Sequence, residues 1–344
     1  SRETVEISME ALKVKLPEVT ADNVAVMDSS AARWILSQVL DENGDGQPDK
    51  LIFQSDFQPK QQKTFVVFSG VDRTKLPAPT LKTTARFVPE RADDFAWEND
   101  RIAFRIYGPA LLKQDGPAKM GSGIDIWCKH VREPIVDEFY KSGAYHVDHG
   151  RGVDCYKVGT GRGCGGVAVW AQDRMWSAKC FDKWKVVTQG PIRAIFELTY
   201  GDWNTAGRKV SEVKRISIDL GSNLNRIEST FKSDGTDDLT AAAGLIIHKD
   251  GKAGDGDGWT AVWEQADGKD NGFMGLGLVL PGGTLKKTDD HTLLLAQVKS
   301  GQPLVYYAGA GWSKGLDFKD SEAWTAYVKD FAARLKAPLK VELK

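Results

Sequence analysis

Short runs of β-branched and aromatic residues, each closed by Gly, Pro, Asn or Asp, fill almost the whole chain. KTFVVFSG, RIAFRIYG, GVAVWAQ, IRAIFELTYG, SEVKRISIDL, NRIESTFKS, AAAGLIIHKD, GFMGLGLVLPGG, HTLLLAQV and PLVYYAGAG are examples. Side chains of this kind suit a pleated, half-buried surface, and the punctuating residues accept tight-turn angles or withdraw a ladder donor. In RISIDLGSNLNRIESTF, Ile216 and Ile218 fall on one face and Arg215, Ser217 and Asp219 on the other, the alternation of an antiparallel sheet with one side on a core. A 3.6-residue apolar period occurs in SEAWTAYVKDFAARLKAP, through Trp324, Tyr327, Val328, Phe331, Ala332 and Leu335. Asp320 or Ser321 can cap its start, and Pro338 lies past its end. The expected fold is all-β, sandwiched antiparallel sheets with a C-terminal helix, and the helical signal is confined to that one stretch.

The loop DENGDGQPD sets Asp41, Asn43, Asp45, Gly46 and Asp49 at the spacing of an EF-hand calcium loop. The closing position, which needs a bidentate Glu, is Ile52, and the flanks ARWILSQVL and KLIFQSDF are strand-like. A solvated hairpin tip is the better reading. Residues 1–80 read as a small N-terminal β unit. KLPAPTLKTTARFVPERADD, with its prolines, reads as a connection, and residues 81–344 as a large β-sandwich domain carrying the site; one continuous domain is the alternative.

Lys and Arg number 46 against 47 Asp and Glu, and the signs are interleaved, so no nucleic-acid footprint is expected. No apolar run approaches the roughly 18 residues of a membrane helix. Cys128, Cys155, Cys164 and Cys180 form no CxxC pair, which argues against a zinc ribbon and leaves disulfides and buried thiols both open. Eleven Trp and eight Tyr suit a large core and also the aromatic faces of a sugar cleft.

Chemistry concentrates in residues 97–170. His130, His146 and His149 lie there with Tyr145, Asp148, Arg151, Asp154, Tyr156, Lys157 and Arg162, in a glycine-rich stretch that reads as loop. Polar loops on a rigid β scaffold are common places for sites. In HVDHGRGVD, the residues His146, Asp148 and His149 are candidate ligands for a divalent metal. The same histidines are candidate acid/base groups, with Asp148 or Asp154 to orient a ring. A loop knitted together by hydrogen bonds is the third possibility. GTGRGCGG lacks GK[ST] and is followed by a strand-like run, so nucleotide binding is rejected. Cys164, among these glycines, reads more readily as a buried or bridged thiol than as a nucleophile.

WENDRIAFRIYGPAL, SGIDIWCK, YHVDHGRGVDCYKVGTGRGCGG, GPIRAIFELTY, RISIDLGSNLNRIESTF and AGAGWSKGLDF, with the DENGDGQPDKLIFQ hairpin, together resemble the bacterial family labelled as domain of unknown function DUF4861. The resemblance covers nearly the whole chain. It implies the β-supersandwich of galactose-mutarotase-like and polysaccharide-lyase domains, a role in polysaccharide utilisation, and a periplasmic or secreted setting. It further implies a carbon–oxygen lyase, of the kind of an ulvan oligosaccharide dehydratase, with a uronate-containing oligosaccharide as partner. Removing the C5 proton of a terminal uronate and expelling the C4 oxygen needs a base, an acid and positive charge on the carboxylate. His146 or His149 is the expected base and Tyr156 the acid. Asn99, Arg101, Arg162, Arg193 and Arg215 are expected to hold substrate, and Trp127 to offer a sugar platform. A glycoside hydrolase using a carboxylate pair from Asp125, Asp137, Asp148, Asp154 and Glu197, or a mutarotase-like enzyme, is one alternative. A non-catalytic carbohydrate-binding protein is the other.

Overall fold

The computed structural model describes residues 1–76, 78–115, 121–235, 237–248 and 250–344. An eight-stranded antiparallel sheet forms its backbone. Its strand order is Lys183–Thr188, Arg193–Thr205, Arg208–Asp219, Leu224–Ser233, Pro303–Trp312, Phe273–Val279, Trp259–Gln265 and Lys252–Gly256. Two five-stranded sheets share a core with it. One runs Arg174–Trp176, Cys164–Ala171, Leu239–Ile246, His291–Val298, Thr284–Lys287. The other runs Gly152–Val153, Asp125–Lys129, Ala103–Ile106, Asp94–Glu98, Thr84–Val88. Phe196, Ile216, Ile227, Leu276 and Tyr306 of the large sheet, Val167, Ala243 and Leu294 of the first small one, and Phe95, Trp97, Phe104 and Ile126 of the second belong to a single buried cluster. Burying such side chains contributes roughly 1.5–3 kcal/mol each.

The opposite face of the large sheet is covered by the C-terminal helix, Ser321–Leu335, capped by Asp320, whose carboxylate accepts from Ala323 N at 2.9 Å. Trp324, Val328 and Ala332 bury against Leu224, Ala261 and Val279. The helix lies close because the sheet has glycine beneath it: a Cβ on Gly275 would come within 2.4 Å of Trp324 Cδ1.

Helix is not confined to this stretch. Met9–Lys15, Pro109–Asp115 and Val136–Ser142 are also helical. Seven residues are too few to show a period, and such short helices depend on their surroundings. The last of them is capped from another element: buried Glu98 accepts from the Ile135 and Val136 amides at 3.0 and 2.9 Å, while Lys129 Nζ holds the same carboxylate at 2.7 Å.

The N-terminal region contributes two three-stranded sheets, Arg2–Ser8 with Lys50–Asp56 and Ser37–Leu40, and Arg33–Ile35 with Ala25–Asp28 and Phe65–Phe68. They have their own apolar cluster around Met9, Leu12, Val24, Leu51 and Phe53. Ser37–Leu40 and Lys50–Asp56 pair as a hairpin, and the loop between them is closed by its own carboxylates. Asp41 accepts from the Gly44 and Gly46 amides at 2.6 and 2.8 Å, and Asp49 from Glu42 N at 2.6 Å. Gln38 joins this region to the rest, accepting from the Ile192 and Arg193 amides and donating to Arg193 O. Among the described residues no helix is long and apolar enough to cross a membrane.

Candidate functional site

Arg105 sits opposite Asp125 in the pairing of Ala103–Ile106 with Asp125–Lys129. Its Nε donates to Asp125 Oδ2 at 2.9 Å, and its Nη2 donates to Asp154 Oδ2 at 2.9 Å. Asp154 is brought there by the turn after Gly152–Val153, where its amide donates to Tyr145 O at 2.8 Å. Asp94 Oδ2 stands 3.9 Å from Arg105 Nη1, and accepts from Tyr140 Oη at 3.2 Å. Tyr107 Oη donates to Asp125 at 3.2 Å. The guanidinium lies 5.1 Å over the Trp127 ring and 4.9 Å over Tyr107, and Trp127 stacks on Tyr145 at 4.9 Å. The result is a buried network of one arginine and three carboxyls walled by aromatic rings.

Burial governs its protons. The Asp154 carboxyl is pushed up to about 7 by burial and by the Asp125 charge, against the pull of Arg105. Asp94 is pushed up to about 6 by burial, opposed by Arg105 and Arg91. Burial alone would depress the Arg105 guanidinium, but Asp125 holds it well above its ordinary value.

His146 closes this network at the surface. Its side chain is 68% exposed, and Nδ1 lies 3.5 Å from Asp154 Oδ2 and 3.4 Å from Asp154 O. Its Nε2 makes no hydrogen bond among the described residues. His149 is exposed. Asp148 faces a different histidine, His130 Nε2 at 2.7 Å, while His130 Nδ1 meets Lys314 O at 3.0 Å. Among the described residues no three His, Cys, Asp or Glu side chains converge to hold a metal ion, so His146, Asp148 and His149 are not assembled as a ligand set.

The other sequence candidates lie apart from His146 or beneath it. Tyr156 is buried, its hydroxyl without a hydrogen-bond partner among the described residues, and burial pushes it well above its ordinary pKa. Trp127 is buried under Arg105 and presents no open sugar platform. Asn99 is used within its own turn and the next. It donates to Asp219 O and Ser222 O and accepts from the Arg101 and Ile102 amides. Arg101 pairs with Asp317, Arg215 with Glu197 at 2.7 Å, and Arg193 bridges Asp219 and Glu6 between the main body and the N-terminal sheet. Arg162 points into the core, donating to Ser122 Oγ at 3.1 Å and Val167 O at 3.2 Å. All four cysteines are free thiols.

Sequence reading missed Tyr107 and Arg91, which border the network, and a second pair of histidines. Arg91 lies 5.6 Å over the Tyr107 ring. His248 Nδ1 meets Glu264 Oε1 at 2.6 Å and its Nε2 meets Lys157 O at 2.9 Å. Both of those partners are acceptors, so both ring nitrogens carry protons and the ring is an imidazolium; the Glu264 bond raises its pKa. His291 is the opposite case. Its Nε2 accepts from Arg162 N at 3.0 Å, which requires a neutral ring, and burial lowers its pKa. The alternation GLIIHKD and the strand-opening His291 carried no local sign that these two rings meet one loop.

The solved structures of similar fold include a protein in Glycosyl Hydrolase Family 38 from Enterococcus faecalis, with TM-score 0.53 and 10% identity over 97% of this chain and 45% of that one. An α-mannosidase from Enterococcus faecalis V583 follows with TM-score 0.48 and 10% identity over 97% of this chain and 43% of that one. The chain thus spans less than half the length of either. Among curated sequences, "Uncharacterized protein P7" of Formosa agariphila is 35% identical over 363 residues, covering 99% of this chain and 90% of the relative. A family profile described as "Domain of unknown function (DUF4861)" matches residues 1–341. With that match running through both the N-terminal sheets and the sandwich, the chain belongs to the DUF4861 family.

Proposed function

We propose that this protein is a carbohydrate-active carbon–oxygen lyase, a dehydratase or β-eliminating lyase that acts on a terminal uronic acid of an oligosaccharide. The observation that carries this reading is the exposed imidazole of His146 backed by the buried Asp154–Arg105–Asp125 network. A uronate C5 proton is acidified only weakly by its adjacent carboxylate, so its removal needs a positioned base, and an oriented imidazole with one free nitrogen is such a base. Nδ1 of His146 faces Asp154, which leaves Nε2 for the proton. Tyr107, half-buried at the edge of the same network, is assigned as donor to the C4 oxygen in place of the enclosed Tyr156. Arg91, over the Tyr107 ring, is assigned the positive charge for the substrate carboxylate. A supersandwich assignment suits the layered sheets, and the glycosyl-hydrolase name of the structure of similar fold supports carbohydrate as the substrate class.

The hydrolase alternative is less well supported. Asp125 and Asp154 share one guanidinium and are buried, Asp137 binds Arg86 at 2.6 Å, Asp148 binds His130, and Glu197 binds Arg215. Glycoside hydrolysis needs two carboxyls flanking an open bond. The test is the ultraviolet absorbance of a conjugated unsaturated uronate, followed as saturated, uronate-terminated oligosaccharides are mixed with the protein. A rise without chain shortening supports dehydration, a rise with shortening supports a polysaccharide lyase, and a flat trace across the panel overturns both.

A further inference from the structure

A cleft of about 510 Å3 opens beside the Gly-rich loop Lys157–Arg162, and none of the residues assigned to proton transfer lines it. Its size lies within the range of pockets that take ligands on the scale of a short oligosaccharide. The hydroxyl-bearing Thr160 and Ser177 are part of its wall, together with the apolar Met175 and Ile246. That mixture matches a pyranose ring, which has hydroxyls around its edge and C–H groups on its faces.

Two of the charged groups around the cleft are held in ion pairs. Lys157 Nζ pairs with Asp267 at 2.8 Å and the His248 imidazolium with Glu264 at 2.6 Å. The Asp290 carboxylate accepts from the neutral His291 ring at 2.7 Å, and the Arg162 guanidinium is turned beneath the loop onto Ser122, Val167 and Thr160. A compact polyanion would face the Asp290 carboxylate and would find no set of cations converging on the open side of the cleft; the cleft offers hydroxyl-bearing side chains and backbone instead. The loop is also held in place before any ligand arrives. His248 Nε2 donates to Lys157 O at one end, and His291 Nε2 accepts from Arg162 N at the other. Arg162 reaches back to Thr160 O at 3.3 Å from below. A Cβ on Gly161 would approach His291 Nε2 to 3.0 Å, so glycine lets the loop lie directly on the ring. Such preorganisation lowers the ordering cost of binding.

We propose that this cleft is a saccharide-binding subsite, taking a hydroxyl-rich, uncharged part of an oligosaccharide, with Thr160 and Ser177 as hydrogen-bonding groups. The proposal rests on the carbohydrate reading given above and adds to it where the body of the chain, as opposed to its reacting terminal residue, is held.

The test is isothermal titration calorimetry of the full chain with uronate-terminated di- to tetrasaccharides, on His146→Ala alone and on His146→Ala combined with Ser177→Trp or with Thr160→Ala. The His146→Ala background allows binding to be read without turnover. Ser177→Trp fills the cleft and is expected to weaken binding at least tenfold, with an unchanged thermal transition. Thr160→Ala is expected to weaken it several-fold, as for one neutral hydrogen bond of about 1 kcal/mol, and stands in should the Trp variant not fold. Equal affinity with and without the cleft substitutions in that background overturns the proposal, as does a His146→Ala protein that binds none of the panel. If the absorbance assay stays flat while Ser177→Trp still abolishes binding, the lyase reading fails and the cleft stands. If absorbance rises and the cleft variants leave both Kd and KM unchanged, the cleft fails and the lyase reading stands.

Discussion

Nδ1 of His146 stands 3.5 Å from Oδ2 of Asp154, an exposed ring against a buried carboxyl. That oxygen also accepts from Arg105, so the ring is oriented from inside the protein while its other nitrogen is left to solvent. His146→Ala is expected to lower turnover of a uronate-terminated oligosaccharide by about 10²–10⁴-fold, the usual contribution of a positioned acid or base, with an unchanged thermal transition. His149→Ala, on the same loop, is expected to leave the rate near that of wild type. Parallel absorbance assays on the two variants decide between these histidines.

The buried carboxyls set a pH dependence of stability. The folded pKa values of Asp154 and Asp94, about 7 and about 6, lie above the ordinary 3.8. The folded chain therefore binds these protons more tightly than the unfolded chain. Their contribution is complete below about pH 4 and is lost as pH rises through 6 and 7. Asp154→Asn, which mimics the protonated acid, is expected to flatten that decline. Urea denaturation across this range, comparing the variant with wild type, checks it; an identical slope would sink the assignment.

Arg105 is the cation on which this network depends. Arg105→Leu leaves buried carboxyls without their partner and is expected to destabilise the fold by about 3–5 kcal/mol. Arg105→Lys is expected to rescue little, because an ammonium cannot reproduce the two-sided fork to Asp125 and Asp154. Chemical denaturation midpoints of the two variants give the answer.

The Lys157–Arg162 loop is held by two rings with opposite protonation needs. The raised His248 pKa gives stability that is full below the ordinary histidine value of 6.5 and is lost as pH rises through the folded value. The lowered His291 pKa gives stability that is full above 6.5 and is lost as pH falls through its folded value. Glu264 and the Lys157 ammonium face the first ring; Asp290, Arg162 and the first ring itself face the second. Exchange protection of the Arg162 amide is expected to be greatest near pH 6.5 and to fall on both sides. In His248→Gln the fall on the alkaline side is expected to disappear.

Close approach of helix and sheet makes Gly275 sensitive. Gly275→Ala puts a methyl 2.4 Å from Trp324, and the helix must shift, at a cost of about 1–3 kcal/mol typical of overpacking. A thermal melt of this variant beside Trp324→Ala, for which about 3–5 kcal/mol is expected, separates crowding from loss of the buried ring.

The chain's local chemistry was enough to declare its β character, the Ser37–Asp56 hairpin and the C-terminal helix. Each is written in a period, a turn or a cap that involves near neighbours, as in the alternation of Ile216 and Ile218 or the Asp320 cap. It also drew attention to residues 97–170, where titratable groups crowd among glycines. What each of those groups faces was decided by tertiary structure. Asp154 rather than Asp148 meets His146, since Asp148 turns to His130, and Arg193 and Arg215 are taken up as struts to Glu6, Asp219 and Glu197. The pairing of Ile246 with His291 and of Leu245 with Cys164 brings His248 and His291 to a loop far from either in sequence. No local pattern encodes that meeting, because it depends on the register of strands that pair only once the chain has collapsed. The helices Met9–Lys15 and Val136–Ser142 are of the same kind: too short to hold themselves, they exist because a core and, for the second, a buried Glu98 supply what a longer repeat would have provided.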